Sequence, residues 1–432
     1  MLRRIKNIFY KTDLFLYKKF GSYKSTKILE NINEAQLLFS YLNVAGEEDK
    51  VRFVGGCVRK AIHGEDIDDI DLAVSLKPSE IKEKLSEKNI KLIDTGISHG
   101  TITAILNDKK FEITSLRKDV STDGRHAKVE FSNNWEEDAN RRDFTVNAIY
   151  SDINGRIFDP LNGISDLQNG TVKFIGNAEE RIQEDYLRIL RYFRFFNQYS
   201  KSNHDPETIQ SIKKHINGIN KISRERIFDE LEKILKLDNF DKLFLNKYSK
   251  EIILNIFPQF KHHGRLNIFK DLKIKIKNRF DKYLILALII VDETNDYEFF
   301  CHKYKVSKKI NKRLENIAKN FENIKNKKFY TEENIKKLIY FSNKEDVIDL
   351  LLFSLCNDTR KKSTNIENLI QFVDTCKIPK FPITGEDLKE KGYKSGEIIG
   401  KKLKLLEQKW IDSGFIMDEK KIKKYLEMVE KN

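Results

Sequence analysis

Between residues 51 and 117, apolar and polar positions alternate in four short runs: "VRFVGG", "DIDLAV", "TITAIL" and "KFEITSLR". A period of two is the signature of a strand with a buried face. Helical spacing precedes them in "TKILENINEAQLLFSYLNVAG" and separates the second from the third in "SEIKEKLSEKNI". Residues 117–130, "RKDVSTDGRHAKVE", lack a sustained apolar face and read as a polar loop turned by Asp-Gly. "DINGRIFDPLNGISDLQNG" reads as a cluster of turns. After about Ala178 the spacing becomes helical and stays so. "EERIQEDYLRILRYFRFFNQY" predicts one long amphipathic helix and "RERIFDELEKILK" another. No internal repeat is present. The pattern predicts an α+β chain: a small head with a mixed sheet, then an all-helical neck, body and tail. The expected divisions are a basic arm over 1–25, a head over 26–155, a neck over 156–245, a body over 246–360 and a tail over 361–432.

The chain has 432 residues and a formal net charge of +14. Such an excess suits a polyanionic partner, above all nucleic acid, although a lysine-, asparagine- and isoleucine-rich composition also follows from an AT-rich genome. Cys57, Cys301, Cys356 and Cys376 are too far apart in sequence for a CxxC metal pair. A reduced, cytoplasmic setting fits them. No run approaches the ~18 consecutive apolar residues of a membrane helix. The N-terminus, "MLRRIKNIFYKTDLFLYKKF", lacks the apolar core of a secretory signal. Its basic bias leaves two readings open, a mitochondrial presequence or an arm that holds RNA.

Chemistry concentrates in "FVGGCVRKAIHGEDIDDIDLAV", Phe53–Val74. Gly55 and Gly56 end a strand and open a helix, where backbone N–H groups and the helix dipole favour a phosphate. A tight turn needs the same pair. Arg59, one turn on, can grip a phosphate oxygen. Asp69 and Asp71 fall at i and i+2 and share one strand face. Carboxylates that close raise each other's pKa unless a cation lies between them. Mg²⁺ takes oxygen ligands of this kind together with substrate phosphates. Glu112, in the neighbouring run, either completes the cluster or is a solvated acid. His204-Asp205 forms a literal HD pair, but His262, His263 and His302 supply no obvious further ligand set, so these histidines read as core or surface.

The order GG then DxD resembles the nucleotidyltransferase superfamily of DNA polymerase β. Three further segments are more specific: "RRDFTVNAIY", "FDPLNGISDLQNG" and "EDYLRILRYFRF". Together they resemble the class II tRNA nucleotidyltransferases, or CCA-adding enzymes, and their bacterial poly(A) polymerase relatives. The likeness covers about residues 50–235 and returns weakly at "FPITGEDLKEKGYKSGEIIGKKLKLLEQKW". The chain departs at Lys60, where the family usually carries a short polar residue, often Asp.

The resemblance implies growth of the tRNA 3′ end from CTP and ATP without a nucleic-acid template, with Mg²⁺ held by Asp69 and Asp71. It implies that Glu184, Asp185 and Arg188 form the base-reading EDxxR motif, with Asp185 and Arg188 as i, i+3 neighbours on one helix. It places Arg191 and Arg194 near the triphosphate or base. It places Arg142 and Asp143 at the nucleotide, Asp143 facing the ribose, while Arg141 reads equally as a structural ion-pair partner. A flexible loop carrying Asp123, Gly124 and Arg125 is implied to govern the change from C to A. The Lys-rich helical region is implied to hold the acceptor stem and TΨC arm of tRNA. The segment "TGISHGTITAIL" resembles the CCA-adding branch more than the poly(A) branch. A catalytically inactive RNA-binding protein would be expected to have lost the DxD acids, which are intact.

Overall fold

A computed structural model describes residues 29, 32–43, 49–96, 100–122, 127–357, 363–390, 392–393, 396–416, 420 and 424. It divides into two compact units, residues 1–257 and 258–432. The basic arm over 1–25 and the loop tip with Asp123, Gly124 and Arg125 lie outside the described residues.

In the first unit, helix α1 (Asn33–Leu42) precedes strand β1 (Val51–Val54) and helix α2 (Gly56–His63). Strand β2 (Ile70–Val74) and helix α3 (Pro78–Ser86) follow. Strands β3 (Lys91–Gly96), β4 (Thr101–Leu106) and β5 (Lys109–Ser115) form a meander. The sheet is completed by two short strands, β6 (Tyr150–Ser151) and β7 (Ile157–Phe158). Its order is β3-β4-β5-β2-β1-β6-β7. Only β2 and β5 run parallel; the other neighbours are antiparallel, so the sheet is mixed as predicted. Phe53, Leu72, Val74, Phe111 and Ile113 are fully buried. Helix α1 covers one face, with Phe39 set 4.8 Å from the Phe53 ring.

Residues 117–130 are not simply a loop. Arg117–Thr122 pairs antiparallel with Ala127–Phe131 as a two-stranded ribbon, with a register shift between Asp119 and Ser121. The expected turn cluster likewise holds strand β7 and a helix, Gly163–Asn169.

The neck begins with Ala178–Glu184, stops, and restarts as Arg188–Tyr199. The predicted single helix is therefore broken. Asp185 is extended, with φ −153° and ψ 105°. Its side chain accepts from the Leu187 N–H at 3.1 Å and so braces the turn that leads into the second helix. The break is held from outside: a Cβ on Gly218 would lie 2.1 Å from the Tyr186 ring, so only glycine lets that ring seat. The second helix docks on the head through aromatic rings. Phe144 lies 4.6 Å from Phe174 and 5.3 Å from Phe195, and Phe174 stacks on Tyr192 at 5.8 Å. Helix Arg224–Leu235 packs beside it.

The second unit is helical throughout its described residues. Helices Lys282–Ile290 and Lys344–Asn357 are apolar on nearly every face and form its core. Arg313 binds Asp281 and Asp349, each at 2.5 Å. Near the C-terminal end, Trp410 packs against Tyr340, Phe381 and Phe415.

Substituting Gly218→Ala should unfold at lower urea concentration, with a loss of about 1–3 kcal/mol as expected for overpacking. Wild-type stability in a urea titration would show that the Tyr186 ring has another place to go.

Candidate active site

Strand β1 delivers Gly55 at φ 67° and ψ −118°, a conformation open to glycine alone. A Cβ there would also meet Arg142 and the Asn147 carbonyl at 3.6 Å. Gly56 opens α2, and a Cβ on it would lie 4.0 Å from both Arg59 and Asp71. The glycine turn and the acid strand thus face each other closely.

Strand β2 starts at Ile70, so Asp69 precedes the strand rather than lying on it, and it is exposed. Asp71 is half-buried and stands in direct register with Glu112 on parallel β5. Glu112 itself is exposed. Burial, then the Glu112 charge, then Asp69 push the Asp71 carboxyl up to about 6 against the pull of Arg142 and Arg59. The repulsion inferred from sequence is real, and Glu112 contributes more of it than Asp69. Among the described residues, no three His, Cys, Asp or Glu side chains are spaced as a ready-made metal cluster. Lys60 turns away from these acids to bind Asp68.

Opposite the acids lies a cavity of about 520 Å³. Its lining includes Gly55, Gly56, Asp71, Asp143, Asp185 and eight arginines: Arg59, Arg117, Arg141, Arg142, Arg188, Arg191, Arg194 and Arg226. Asp69, Glu112 and Glu184 are not part of that lining.

The arginines are held by acids behind them. Asp138, 1% exposed, binds Arg142 at 2.9 Å and Arg141 at 2.7 Å and accepts from the Tyr150 hydroxyl at 2.7 Å. Burial alone would push its carboxyl up, but the two guanidiniums hold it well below the usual range. Arg141 is therefore both an ion-pair partner and part of the wall. Asp143 accepts from the Phe144 N–H and the Asn147 amide on one oxygen, and from Arg191 at 2.6 Å on the other. Burial opposes its ionisation; Arg191 and Asn147 overcome that and depress its pKa. Arg194 is tied to buried Glu230 at 2.5 Å and lies 4.2 Å over the Phe195 ring. Arg59 donates to the Tyr199 hydroxyl at 3.0 Å and to the Asn147 side chain.

Asp185 and Arg188 are not paired as helix neighbours. Arg188 donates to Glu184 at 2.5 Å and to the Arg181 carbonyl at 2.8 Å. Asp185 accepts from Arg226 at 2.7 Å. The break between the two helices is what separates them. Sequence reasoning missed Arg117, Asp138, Asn147 and Arg226. Asn147 was visible inside "RRDFTVNAIY", while Arg226 had no local signal beyond a charged helix start.

His204 belongs to the core. It contacts the Tyr192 hydroxyl at 3.1 Å and the Ser249 hydroxyl at 2.7 Å, and burial lowers its pKa to about 4. Asp205 caps the next helix at the Thr208 N–H. Cys57, Cys301, Cys356 and Cys376 are all buried and free. No helix among the described residues is long and apolar enough to cross a membrane.

A glycine turn and an acid pair facing an arginine-lined cavity can hold a nucleoside triphosphate with its phosphates toward the acids, the layout of a nucleotidyl-transfer site. Comparison with known proteins agrees. Residues 51–173 match the poly A polymerase head domain, and 204–263 match a probable RNA and SrmB-binding site of polymerase A. Residues 275–426 match a putative tRNA nucleotidyltransferase domain 2. The chain is 34% identical over 394 residues to the human mitochondrial CCA tRNA nucleotidyltransferase 1, covering 88% of this chain and 87% of that one. It is 31% identical over 404 residues to the CCA-adding enzyme of Ligilactobacillus salivarius, covering 92% and 94%. The fold resembles that of the Bacillus stearothermophilus CCA-adding enzyme in complex with CTP, with TM-score 0.69, 24% identity, and coverage of 92% and 97%. The chain belongs to the CCA tRNA nucleotidyltransferase family.

The repulsion at Asp71 has a measurable consequence. Its folded pKa lies above that of a free carboxylate, so the folded state binds more protons between about pH 4 and 6. This group's effect on stability is therefore most favourable at low pH and declines as pH rises through about 6. Asp71→Asn, assayed without added metal at pH 8, should melt at a higher temperature than wild type. An equal or lower melting temperature would remove the argument that burial and like charge together strain the Asp71 carboxylate.

Proposed function

We propose that this chain is a template-independent RNA nucleotidyltransferase that adds C, C and A to the 3′ end of tRNA from CTP and ATP. The tRNA 3′-hydroxyl attacks the α-phosphate and pyrophosphate leaves. The carrying observation is the cavity, which sets eight guanidiniums against Asp71 and the glycine turn. Arginine forks match phosphate oxygens, and a triphosphate supplies the negative charge that this wall lacks.

The fit for Mg²⁺ rests on donor chemistry. Asp69, Asp71 and Glu112 offer only carboxylate oxygens, and their charges press on one another at Asp71. Mg²⁺ is commonly bound by one or two carboxylates with substrate phosphates and water, so a closed protein cluster is not required. Asp69 and Asp71 would hold it, with Glu112 beside them. When bound it would polarise the phosphate and lower the pKa of the attacking hydroxyl. The protein's own groups do the rest. The backbone at Gly55 and Gly56 approaches the phosphates, Arg142, Arg191 and Arg194 orient them, and Asp143 faces the sugar.

Base choice falls to Asp185 and Arg188. Cytosine and adenine each present an amino donor beside a ring-nitrogen acceptor, which a carboxylate and a guanidinium complement. Uracil and guanine present a carbonyl instead of the amine, leaving Asp185 facing another acceptor. In the structure Arg226 and Glu184 hold these two groups, so a correct base replaces an existing partner. The second unit, with its lysine-bearing helices, would hold tRNA by phosphate contacts and shape. A cytoplasmic location accords with four free cysteines.

Incubating tRNA lacking its CCA end with labelled CTP, ATP, UTP and GTP, singly and mixed, tests the proposal. Wild type should incorporate C and then A. Asp69→Asn and Asp71→Asn should lose at least about a hundredfold in rate while retaining tRNA binding. Incorporation of UTP and GTP at the rate of CTP would sink the assignment, as would long A tails.

Asp185→Ala and Arg188→Ala should relax the preference for C and A over U and G more than they weaken tRNA binding. Unchanged selectivity in either would make its present ion pair the whole of its role.

Deleting 119–127, which removes the outer part of the ribbon, should leave C addition active and stall products at CC. Deletion products that still end in A would contradict a role for this ribbon in the change of base.

A further inference from the structure

The cavity is built from two helices with separate duties. Helix α2 carries the glycine turn and Arg59, at the phosphate end. Helix Arg188–Tyr199 carries the base-reading Arg188, with Arg191 one turn further on beside Asp143. How far apart these helices sit fixes the size of base that fits between bound phosphates and the reading groups.

Arg59 is the buried link between them. It is 5% exposed, and its guanidinium lies 4.8 Å over Phe195 and 5.3 Å over Tyr199. Its donors go to an amide, Asn147, and to a phenol, Tyr199, rather than to a carboxylate. A buried guanidinium needs compensating charge. Two carboxylates supply it at one remove. Asp143 reaches Arg59 through Asn147. Glu65 reaches it through Tyr199, whose hydroxyl accepts from Arg59 at 3.0 Å and donates to Glu65 at 3.2 Å. Glu65 also accepts from Gln198 at 3.0 Å and contacts His63 at 2.8 Å. A continuous polar chain therefore runs Glu65, Tyr199, Arg59, Asn147, Asp143, Arg191.

From Glu65 beyond α2, the polar chain touches helix Arg188–Tyr199 twice, at Tyr199 and at Arg191. Tyr199 is the last residue of that helix and Arg191 lies two turns earlier, so the helix is stitched to the head at two points roughly 12 Å apart along its axis. One stitch is the Asp143–Arg191 pair inside the cavity. The other, at Tyr199, lies beyond the cavity lining.

We infer that the Tyr199 hydroxyl is a positioning group that sets the spacing between the base-reading helix and the phosphate-binding helix, and so the balance between C and A addition. This rests on the nucleotidyltransferase reading above. Losing the outer stitch lets the helix pivot about the Arg191 pair. The larger purine has less slack than the pyrimidine, so A addition should suffer more.

Tyr199→Phe removes only the hydroxyl. The ring keeps its stack on Phe195 at 6.3 Å and its edge contact with His63 at 5.2 Å. Single-turnover rates should be measured on tRNA ending in CC with ATP, and on tRNA lacking CCA with CTP. A addition should fall about tenfold and C addition no more than about threefold, in keeping with the sensitivity of rate to small misplacement. Glu65→Ala, which also frees Gln198, should shift the ratio the same way and at least as far, and adding Tyr199→Phe to it should shift the ratio no further. Glu65→Gln, which still accepts the phenol hydrogen, should restore most of it. A variant that is merely less folded would lose both activities equally. Equal losses, no loss in Tyr199→Phe, or additive losses in the double variant would overturn the inference. A wild type that adds neither nucleotide would overturn the underlying function instead.

Discussion

Eight guanidiniums around one cavity of about 520 Å³ repel one another, and the rest of the site is arranged to contain that repulsion. Leaving a buried cation unpaired costs on the order of several kcal/mol. The chain meets this with acids, three of them set behind the wall and two, Asp143 and Asp185, within it. Asp138 holds Arg141 and Arg142, Asp143 holds Arg191, Glu184 holds Arg188, Asp185 holds Arg226 and Glu230 holds Arg194. These acids come from the helix before "RRDFTVNA", from that motif itself, from the neck break and from helix Arg224–Leu235. One of these pairs, Asp143–Arg191, joins the head to the neck, so the contact that orients Arg191 also ties those two parts together. Asp138 shows the strength of the coupling, since burial should neutralise it and two arginines keep it charged.

Pairing at the back also explains how the cavity stays receptive. An arginine gripped through one edge of its fork keeps its other donors for a ligand. The acid end works by the opposite logic. Burial, then Glu112 and Asp69, raise the pKa of Asp71, and the three acids leave a local surplus of negative charge beside a cationic wall. A nucleoside triphosphate accompanied by a cation satisfies both ends together, and neither component alone does.

Much of this was readable in the chain. The strands announced themselves by their period of two, and Gly55, Gly56, Asp69 and Asp71 by a spacing that needs explanation. Other features left no local trace. The apolar period runs unbroken from Ile182 through Ile189 and Phe193, so nothing in it betrays the break at Asp185. That break depends on Gly218, more than thirty residues on, giving room to Tyr186. Asp138 sits among other acids in "WEEDAN" and reads as a helix start. Arg226 lies in "RERIFDEL", where a solvated charge is the default. The paired strands Arg117–Thr122 and Ala127–Phe131 read as a loop in sequence because their alternation is weak and polar residues fall at both odd and even positions.

The ribbon matters for more than its tip. Its first residue, Arg117, is itself part of the cavity lining. Arg117 pairs in register with Phe131, and the Phe131 ring closes on Gly100, where a Cβ would lie 2.8 Å away. The Ser132 N–H then bonds to the Leu116 carbonyl at 2.9 Å. The root of the ribbon is thus clamped between strand β4 and the cavity, while the strands extend away from it. A ribbon anchored this way cannot swing without turning the backbone that carries Arg117. The described strands of the ribbon are therefore tied to the cavity lining through Arg117 at their root.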